Sequence, residues 1–433
     1  MKKLLATAVA IGLAGMTGSA FAITDNEANA SIPFSFSNPG ARALGMGGAF
    51  LGLADDASAA YTNPAGLTQL VSPEVSAEFR SVSTNTRWMD GGTVQYNGFD
   101  SSGLNYSSQD DRTNSLPSFS FVYPGERLSF AIYRFELVNY DSKFFSAGAL
   151  YTTGDGSGAG GVVFPYQANT NLEVDAYGAA FGFKVNDRIS LGFGLNYYLL
   201  DISTTTDRLN PNDLTSAFGR EADLNGDGSF GFTLGARMVF TDWLSGGLSY
   251  RHAPSLDYDA VRSSRNDPNE GVTLNTDLNV PDVLGVGISI RPSDSWVINL
   301  DVNRVYYSQV TDDLESVYGS DPVTELAPLK LSDGTEVRLG AEYTFATTHP
   351  FSIRAGVWRD PAHELVYRGT VPNFDPATQL PAVDAATFSA GRSSSQTHYA
   401  IGAGVAFSQF QIDLGADFSD TSDTYSVSGV FRF

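Results

Sequence analysis

Tyr425-Ser-Val-Ser-Gly-Val-Phe-Arg-Phe433 closes the chain as an alternating aromatic and apolar strand that ends on the final residue. Side chains on a strand point to opposite faces in turn, so a period of two assigns each residue a side. The same period recurs upstream from about Pro73. Ile189, Leu191, Phe193, Leu195 and Tyr197 form one apolar row. Phe230, Phe232, Leu234, Ala236 and Met238 form another, as do Trp296, Ile298, Leu300 and Val302. Tyr399, Ile401, Ala403, Val405 and Phe407 make a fourth, and Phe410, Ile412, Leu414, Ala416 and Phe418 a fifth. The intervening positions are mostly glycine, serine, asparagine, aspartate and arginine.

A soluble sandwich alternates too, with its apolar rows turned inward. Three features favour rows that face lipid. The apolar rows run about ten residues, the length that crosses a bilayer when tilted. Aromatics (Tyr197, Phe240, Trp243, Tyr250, Trp296, Tyr306, Tyr343, Phe407) stand at the row ends, where interfacial girdles lie. Connections alternate between short and long. Tyr123–Arg127, Asn186-Asp187, Thr241-Asp242, Pro292–Ser295, Ala346–Pro350 and Ser408-Gln409 are hairpin-like. Longer ones run from Ser83 to Leu116, Asp141 to Thr170, Thr205 to Gly226, His252 to Asn275, Ser308 to Thr335 and Arg359 to Gln396, with a shorter one near Asp420. Counting both sides of each predicts an all-β fold, a barrel of about fourteen antiparallel strands with short periplasmic turns and long external loops. The terminal strand is similar to the C-terminal signal of bacterial outer-membrane barrels, which makes Phe433 the contact for the barrel assembly machinery. Outer-membrane lipid and lipopolysaccharide are the expected surroundings, and a monomer the expected state.

The other end reads as an export signal over residues 1–22: Lys2 and Lys3, an apolar run from Leu4 to Leu13, then Ala20-Phe21-Ala22 with small residues at a cleavage site. No later stretch approaches the ~20 apolar residues of a membrane helix. In hydrocarbon only helices and edge-free barrels pair every backbone group, so a closed barrel suits this chain. With no cysteine, disulfides and thiolate metal sites are ruled out. A net charge of −22 with five lysines argues against nucleic-acid binding.

Residues 23–72 do not alternate, and the barrel is expected over 73–433. The segment between is rich in small residues, with Gly45, Gly47, Gly48 and Gly52 allowing close backbone approach. Asp55 or Asp56 can cap a short helix over Ala57 to Tyr61. Asn63-Pro64 then ends it and starts another turn, with Pro64 at the first helical position. A compact piece of this size is suited to sit in a barrel lumen as a plug. Ala54-Asp55-Asp56-Ala57, five further residues, then Asn63-Pro64-Ala65 resembles the N-terminal hatch of the FadL family of fatty-acid and hydrocarbon channels. The resemblance covers nearly the whole mature chain. It implies a fourteen-stranded barrel plugged by a small helical hatch and the passive uptake of long-chain fatty acids or similar hydrophobic molecules. Ligand would be captured among external loops, passed inward, freed by hatch movement and released sideways at a kink in the third strand. The alternative is a structural or secretion-associated barrel whose lumen stays closed.

Candidate transport residues follow. In the third strand Leu128, Phe130 and Ile132 hold one phase, and Tyr133, Phe135 and Leu137 the other. A change of phase needs a bulge or kink, expected at Ile132, Tyr133 and Arg134. Arg134, Arg237, Arg338 and Arg354 fall on the expected lumen face. Each could bind a carboxylate in a fork or pair with Glu136, Asp301, Glu342 or the hatch aspartates. Phe144, Phe145 and Phe164 belong to an unusually apolar external loop, a candidate capture surface.

Other signals lead nowhere chemical. Asp223-Leu-Asn225-Gly-Asp227-Gly228 matches half a calcium loop, but Leu234 occupies the bidentate position, and a polar turn is expected. His252, His349, His363 and His398 lack metal spacing, and only His398 falls on the lumen face. Two Gly-x-Gly-x-x-Gly runs open no helix in a βαβ unit, and no nucleophile elbow or Walker motif occurs. Neither enzyme activity, nor a metal, nor a cofactor is expected.

Overall fold

The computed structural model describes residues 32, 34–95, 100–152, 160–163, 165–209, 216–264, 267–311, 329–363, 366–367 and 394–433. The expected export signal and Phe164 lie outside them.

Fourteen strands close on themselves. In chain order they are β1 (Glu74–Gln95), β2 (Leu104–Tyr123), β3 (Leu128–Ser146), β4 (Tyr166–Lys184), β5 (Ile189–Leu209), β6 (Ser216–Thr241) and β7 (Leu244–His252). The second half is β8 (Val283–Ser293), β9 (Trp296–Val305), β10 (Gly334–Phe345), β11 (Phe351–Asp360), β12 (Gln396–Ala406), β13 (Phe410–Phe418) and β14 (Ser422–Arg432). Each pairs antiparallel with the next, and β14 pairs back onto β1 from Glu74↔Arg432 to Thr84↔Ser422. Every strand of the ring has a hydrogen-bonded neighbour on each side, which is what a lipid-embedded sheet requires.

The apolar rows face outward. Leu191, Phe193, Leu195, Phe230, Leu234, Met238, Leu300, Ile401, Leu414 and Val427 are all exposed on the barrel's outside, while Asn196, Thr233, Asn299, Asp301, Asp413 and Ser426 between them are buried inside. This inversion of a soluble protein's pattern is the signature of a surface made for acyl chains.

Strand length departs from expectation. Strands β7 to β14 span 9 to 12 residues, but β1 to β6 span 19 to 26. The first three long loops are thus largely strand, continuing past the apolar band on polar residues such as Gln109, Asp111, Asp201 and Ser203. A further hairpin, Ser255–Ser264 with Asp267–Asn279, extends the sheet from β6. The Asp223–Gly228 run is not a turn. It lies within β6, with an extra residue between the pairs Leu200↔Asp227 and Asp201↔Asn225.

Ahead of β1 lie two four-residue helices, α1 (Ala41–Leu44) and α2 (Ala59–Thr62), and a 3-10 turn at Pro64–Gln69. This N-terminal segment packs on the inward face of the wall. Inward glycines make room for it: a Cβ on Gly356 would stand 2.3 Å from Gly47 N, and one on Gly192 2.2 Å from Ala65 N.

Candidate functional site

The segment is tied to one arc of the wall by charge. Arg42 reaches Glu342 at 2.9 Å and Asp55 at 2.7 Å, and Glu342 also takes Arg354 at 2.6 Å. Arg354 continues to Asp413 at 2.8 Å. The Asp301 carboxylate accepts from Phe50 N at 2.6 Å and Leu51 N at 2.8 Å, two donors the folded segment cannot otherwise satisfy. Arg338 holds Glu336 at 3.0 Å and donates to Gly47 O. Gly47 and Gly48 have φ of 65° and 74°, and a side chain on Gly48 would meet the Arg338 guanidinium at 2.5 Å. Asn63 Oδ1 accepts from Ala65 N to start the 3-10 turn, with Pro64 first in it, while Nδ2 donates to Leu51 O and Ala236 O. Asp55 bridges Arg42 and Arg291. Asp56 accepts from Ser58 N just ahead of α2. Burial pushes the Asp56 carboxyl up from its usual range, against the pull of Arg42.

The opposite arc is apolar. The Tyr61 ring lies 4.1 Å from that of Phe135 and 6.0 Å from that of Tyr133. Above it, inward side chains that a water-filled pore would make polar are instead Leu172, Val174, Leu200, Ile202, Leu256 and Leu278. Phe34 and Phe36 of the N-terminal segment are stacked 5.9 Å apart within this cluster.

The break in β3 expected at Ile132–Arg134 is not there. Pairing is unbroken through those residues on both sides, and the register slips between Glu136 and Val138. Both phases of β3 are apolar for another reason: Leu128, Phe130 and Ile132 face out, while Tyr133 and Phe135 face in against Tyr61. The slip lets Leu137 O accept from Ser35 N at 3.1 Å. On β2, two residues, Leu116 and Pro117, stand opposite Phe79 alone. Proline has no N–H for a ladder, and there the wall forks. Pairs between β2 and β3 run only from Tyr123↔Phe130 to Ser118↔Phe135, beyond which β2 follows β1 and β3 follows β4. Side chains bridge the parted strands, Ser115 to Glu136 at 2.6 Å and Gln109 to Lys143 O at 2.8 Å. A narrow cavity reaches this seam, lined by Arg42, Asp56, Tyr61, Glu78, Phe119 and Tyr133 among others.

Arg134 is not on the lumen face. It lies on the outward phase beside this fork, bound to Asp175 at 2.7 Å and Glu173 at 3.0 Å and donating to Leu116 O. Glu136, Glu173 and Asp175 are the one acid grouping among the described residues tight enough for a metal ion, and Arg134 serves as their cation. Arg338 and Arg354 do face inward but are paired with acids, Arg354 with the expected Glu342 and with Asp413, and Arg338 with Glu336 instead of the acids expected. Arg237 faces inward and half-buried near Arg291, in no ion pair among the described residues, with Nε unpartnered. Phe144 stacks on Trp88 at 4.9 Å and meets Tyr166 edge-on, whereas Phe145 is exposed. The two therefore do not form one surface, because adjacent residues on β3 face opposite ways.

Sequence reasoning missed Pro117, Tyr61, Arg251 and the anchoring role of Asp301. A proline inside an alternating run was the signal for the fork.

Beyond the end of β11, His363 stacks on Tyr307 at 4.4 Å, and Tyr307 meets Phe36 edge-on. Burial disfavours the imidazolium, but the Asp360 carboxylate outweighs it and holds the pKa up at about 9. A raised histidine pKa stabilises fully below its unfolded value of about 6.5, and that contribution is lost as pH rises through the folded value. An NMR titration of His363 should therefore give a midpoint near 9 that drops toward 6.5 in Asp360→Asn. A midpoint near 6.5 in the unaltered protein would show that the contact does not hold the charge.

Residues 22–427 match the model of the outer membrane protein transport family OMPP1/FadL/TodX. No curated protein sequence matches. Among solved structures, a FadL homologue of Pseudomonas aeruginosa is similar at 15% identity, a TM-score of 0.63, and coverage of 93% of this chain and 99% of that one. The Pseudomonas putida toluene transporter TodX gives 16%, 0.58, 93% and 100%. The Ralstonia pickettii toluene transporter TbuX gives 17%, 0.54, 92% and 99%. At these identities the likeness speaks for the fold.

Proposed function

The chain belongs to the OMPP1/FadL/TodX family of outer membrane transport proteins, and we propose that it admits long-chain fatty acids or similar hydrophobic molecules passively across the outer membrane. The observation that carries this reading is the apolar interior: Leu172, Val174, Leu200, Ile202, Leu256 and Leu278 on inward-facing positions. A polar solute gains nothing there, whereas each buried CH₂ of a cargo gains about 0.8 kcal/mol.

Residues 23–72 act as a hatch. Phe34 and Phe36 occupy the apolar interior and must move for cargo to pass. The charged anchors on β9 to β13 then serve as the fixed side, and the aromatic contacts of Tyr61 with β3 as the side that yields. Release is sideways, between β2 and β3 beyond Ser118 and Phe135, where side chains rather than a backbone ladder close the wall. Capture falls to the external face of β3 and its neighbours around Phe145.

Proteoliposomes carrying the protein should take up labelled oleate and toluene faster than empty liposomes and should leave a disaccharide outside. A crosslinker with an internal disulfide, joining Leu116→Cys to Arg134→Cys across the seam, should slow uptake at least tenfold, and reduction should restore it. A barrel impermeable to both hydrophobic probes would support the closed, structural alternative. Uptake undisturbed by the crosslink would remove the lateral route.

A further inference from the structure

Arg251 stands apart from the other inward arginines. It is 6% exposed, on the inward face of β7, between Thr233 of β6 and Val283 of β8. Its Nε and Nη1 are buried and donate to nothing. No carboxylate lies within salt-bridge reach among the described residues, although acids outnumber Lys and Arg by 48 to 26 in the chain. Arg42, Arg80, Arg338 and Arg354 all have acid partners. Arg237, also unpaired, sits half-buried, where water can reach it. A buried guanidinium without an anion is costly to keep, and a chain with acids to spare has kept this one free.

Its surroundings suit a guest. The guanidinium lies 3.9 Å over the Tyr61 ring, which covers one face and leaves the edge donors open. Tyr61 OH, Thr62 Oγ1 and Tyr198 OH are likewise buried without partners. Burial pushes the Tyr61 phenol up from its ordinary value, so it stays neutral and supplies no counter-charge. Arg251 and Thr62 line a narrow cleft together with Phe36, Leu51, Asn38 and Val283. Phe36 and Val283 also belong to the apolar cluster that runs on to Leu200, Ile202, Leu256 and Leu278.

We propose that Arg251 is the head-group site for an anionic cargo: a fatty carboxylate forks onto its edge donors while the acyl chain lies along the apolar cluster, in place of Phe34 and Phe36. Phe36 lines the cleft and lies with Phe34 in the apolar cluster, so the cargo's place is the one those two rings now fill. The site therefore distinguishes acids from neutral hydrocarbons of the same length. This rests on the channel reading above and adds to it the residue that selects acids over neutral cargo.

The test compares binding of oleate and methyl oleate at pH 8.5 to detergent-purified protein, in the unaltered chain, Arg251→Met and Arg251→Lys. Strand circular dichroism confirms that each variant is folded. A charge-assisted pair predicts an acid preference of about 10- to 100-fold in the unaltered chain. Arg251→Met should bring it within about twofold, Arg251→Lys should keep part of it, and methyl oleate should bind all three alike. If the preference survives in Arg251→Met, or if the unaltered chain binds both ligands equally, the assignment is overturned and the channel reading stands. If neither ligand binds or crosses, the channel reading falls and takes the assignment with it.

Discussion

Replacing Asp301 by alanine is expected to unseat the N-terminal segment and leave the barrel leaky but closed. The carboxylate is fully buried and accepts from both Phe50 N and Leu51 N. Alanine leaves those two donors without an acceptor, at roughly 1–3 kcal/mol each. Part of this is returned, because a buried charge no longer has to be kept dry. A net loss on the order of 3 kcal/mol shifts the ratio of seated to displaced segment by about a hundredfold. The wall itself loses little, since the ladder of β9 with β8 and β10 uses only backbone groups. Planar-bilayer recordings should show raised conductance in Asp301→Ala and an intermediate rise in Asp301→Asn, which retains one acceptor. Strand circular dichroism should stay the same in both. Conductance equal to that of the unaltered protein, with residues 41–69 still resistant to protease, would mean that Asp301 does not hold the segment.

That result would separate what the sequence could say from what it could not. The outward rows were readable because lipid imposes one chemistry on every second residue, so Ile189 to Tyr197 or Phe410 to Phe418 carry the fold by themselves. The inward residues answer to individual partners far away in the chain. Arg134 shows the consequence. Its phase was inferred from its neighbours in β3, but both faces there are apolar, one toward lipid and one toward Tyr61. Periodicity alone cannot tell lipid from a tyrosine, so the apparent change of phase predicts a break where the pairing has none. Arg251 adjoins the loop that starts at His252, which hides it in the sequence, although its inward phase follows from Leu248 and Tyr250 facing out. Its lack of a partner becomes visible only once every acid has a position. The full length of β1 to β6 is hidden for a related reason: above the membrane the outward face turns polar, the alternation fades, and only backbone pairing continues the strand.

The inward glycines were legible as a face but not as a seat, and they support the prediction with the largest effect. Gly340→Leu is expected to exclude the N-terminal segment altogether. A Cβ there would stand 2.3 Å from Met46 O and 2.7 Å from Met46 Cβ. The first of these is backbone, held in place by the neighbouring bonds of Gly47 and Gly48, so no side-chain rotation relieves the clash. Overpacking of this kind costs about 1–3 kcal/mol where side chains can yield, and more where backbone must. Strand β10 is fixed on both flanks by its pairs with β9 and β11, so it is the segment that gives way. Gly429→Leu is the control, because a Cβ on its outward face meets nothing nearer than Gln411 O at 4.0 Å. The Gly340 variant should lose the protection of residues 41–69 against protease and exceed Asp301→Ala in conductance, and the Gly429 variant should do neither. If Gly340→Leu keeps a protected segment and a tight barrel, then the close approach of Met46 to β10 is not what seats the N-terminal segment, and the glycines on that face are there for the curvature of the wall alone.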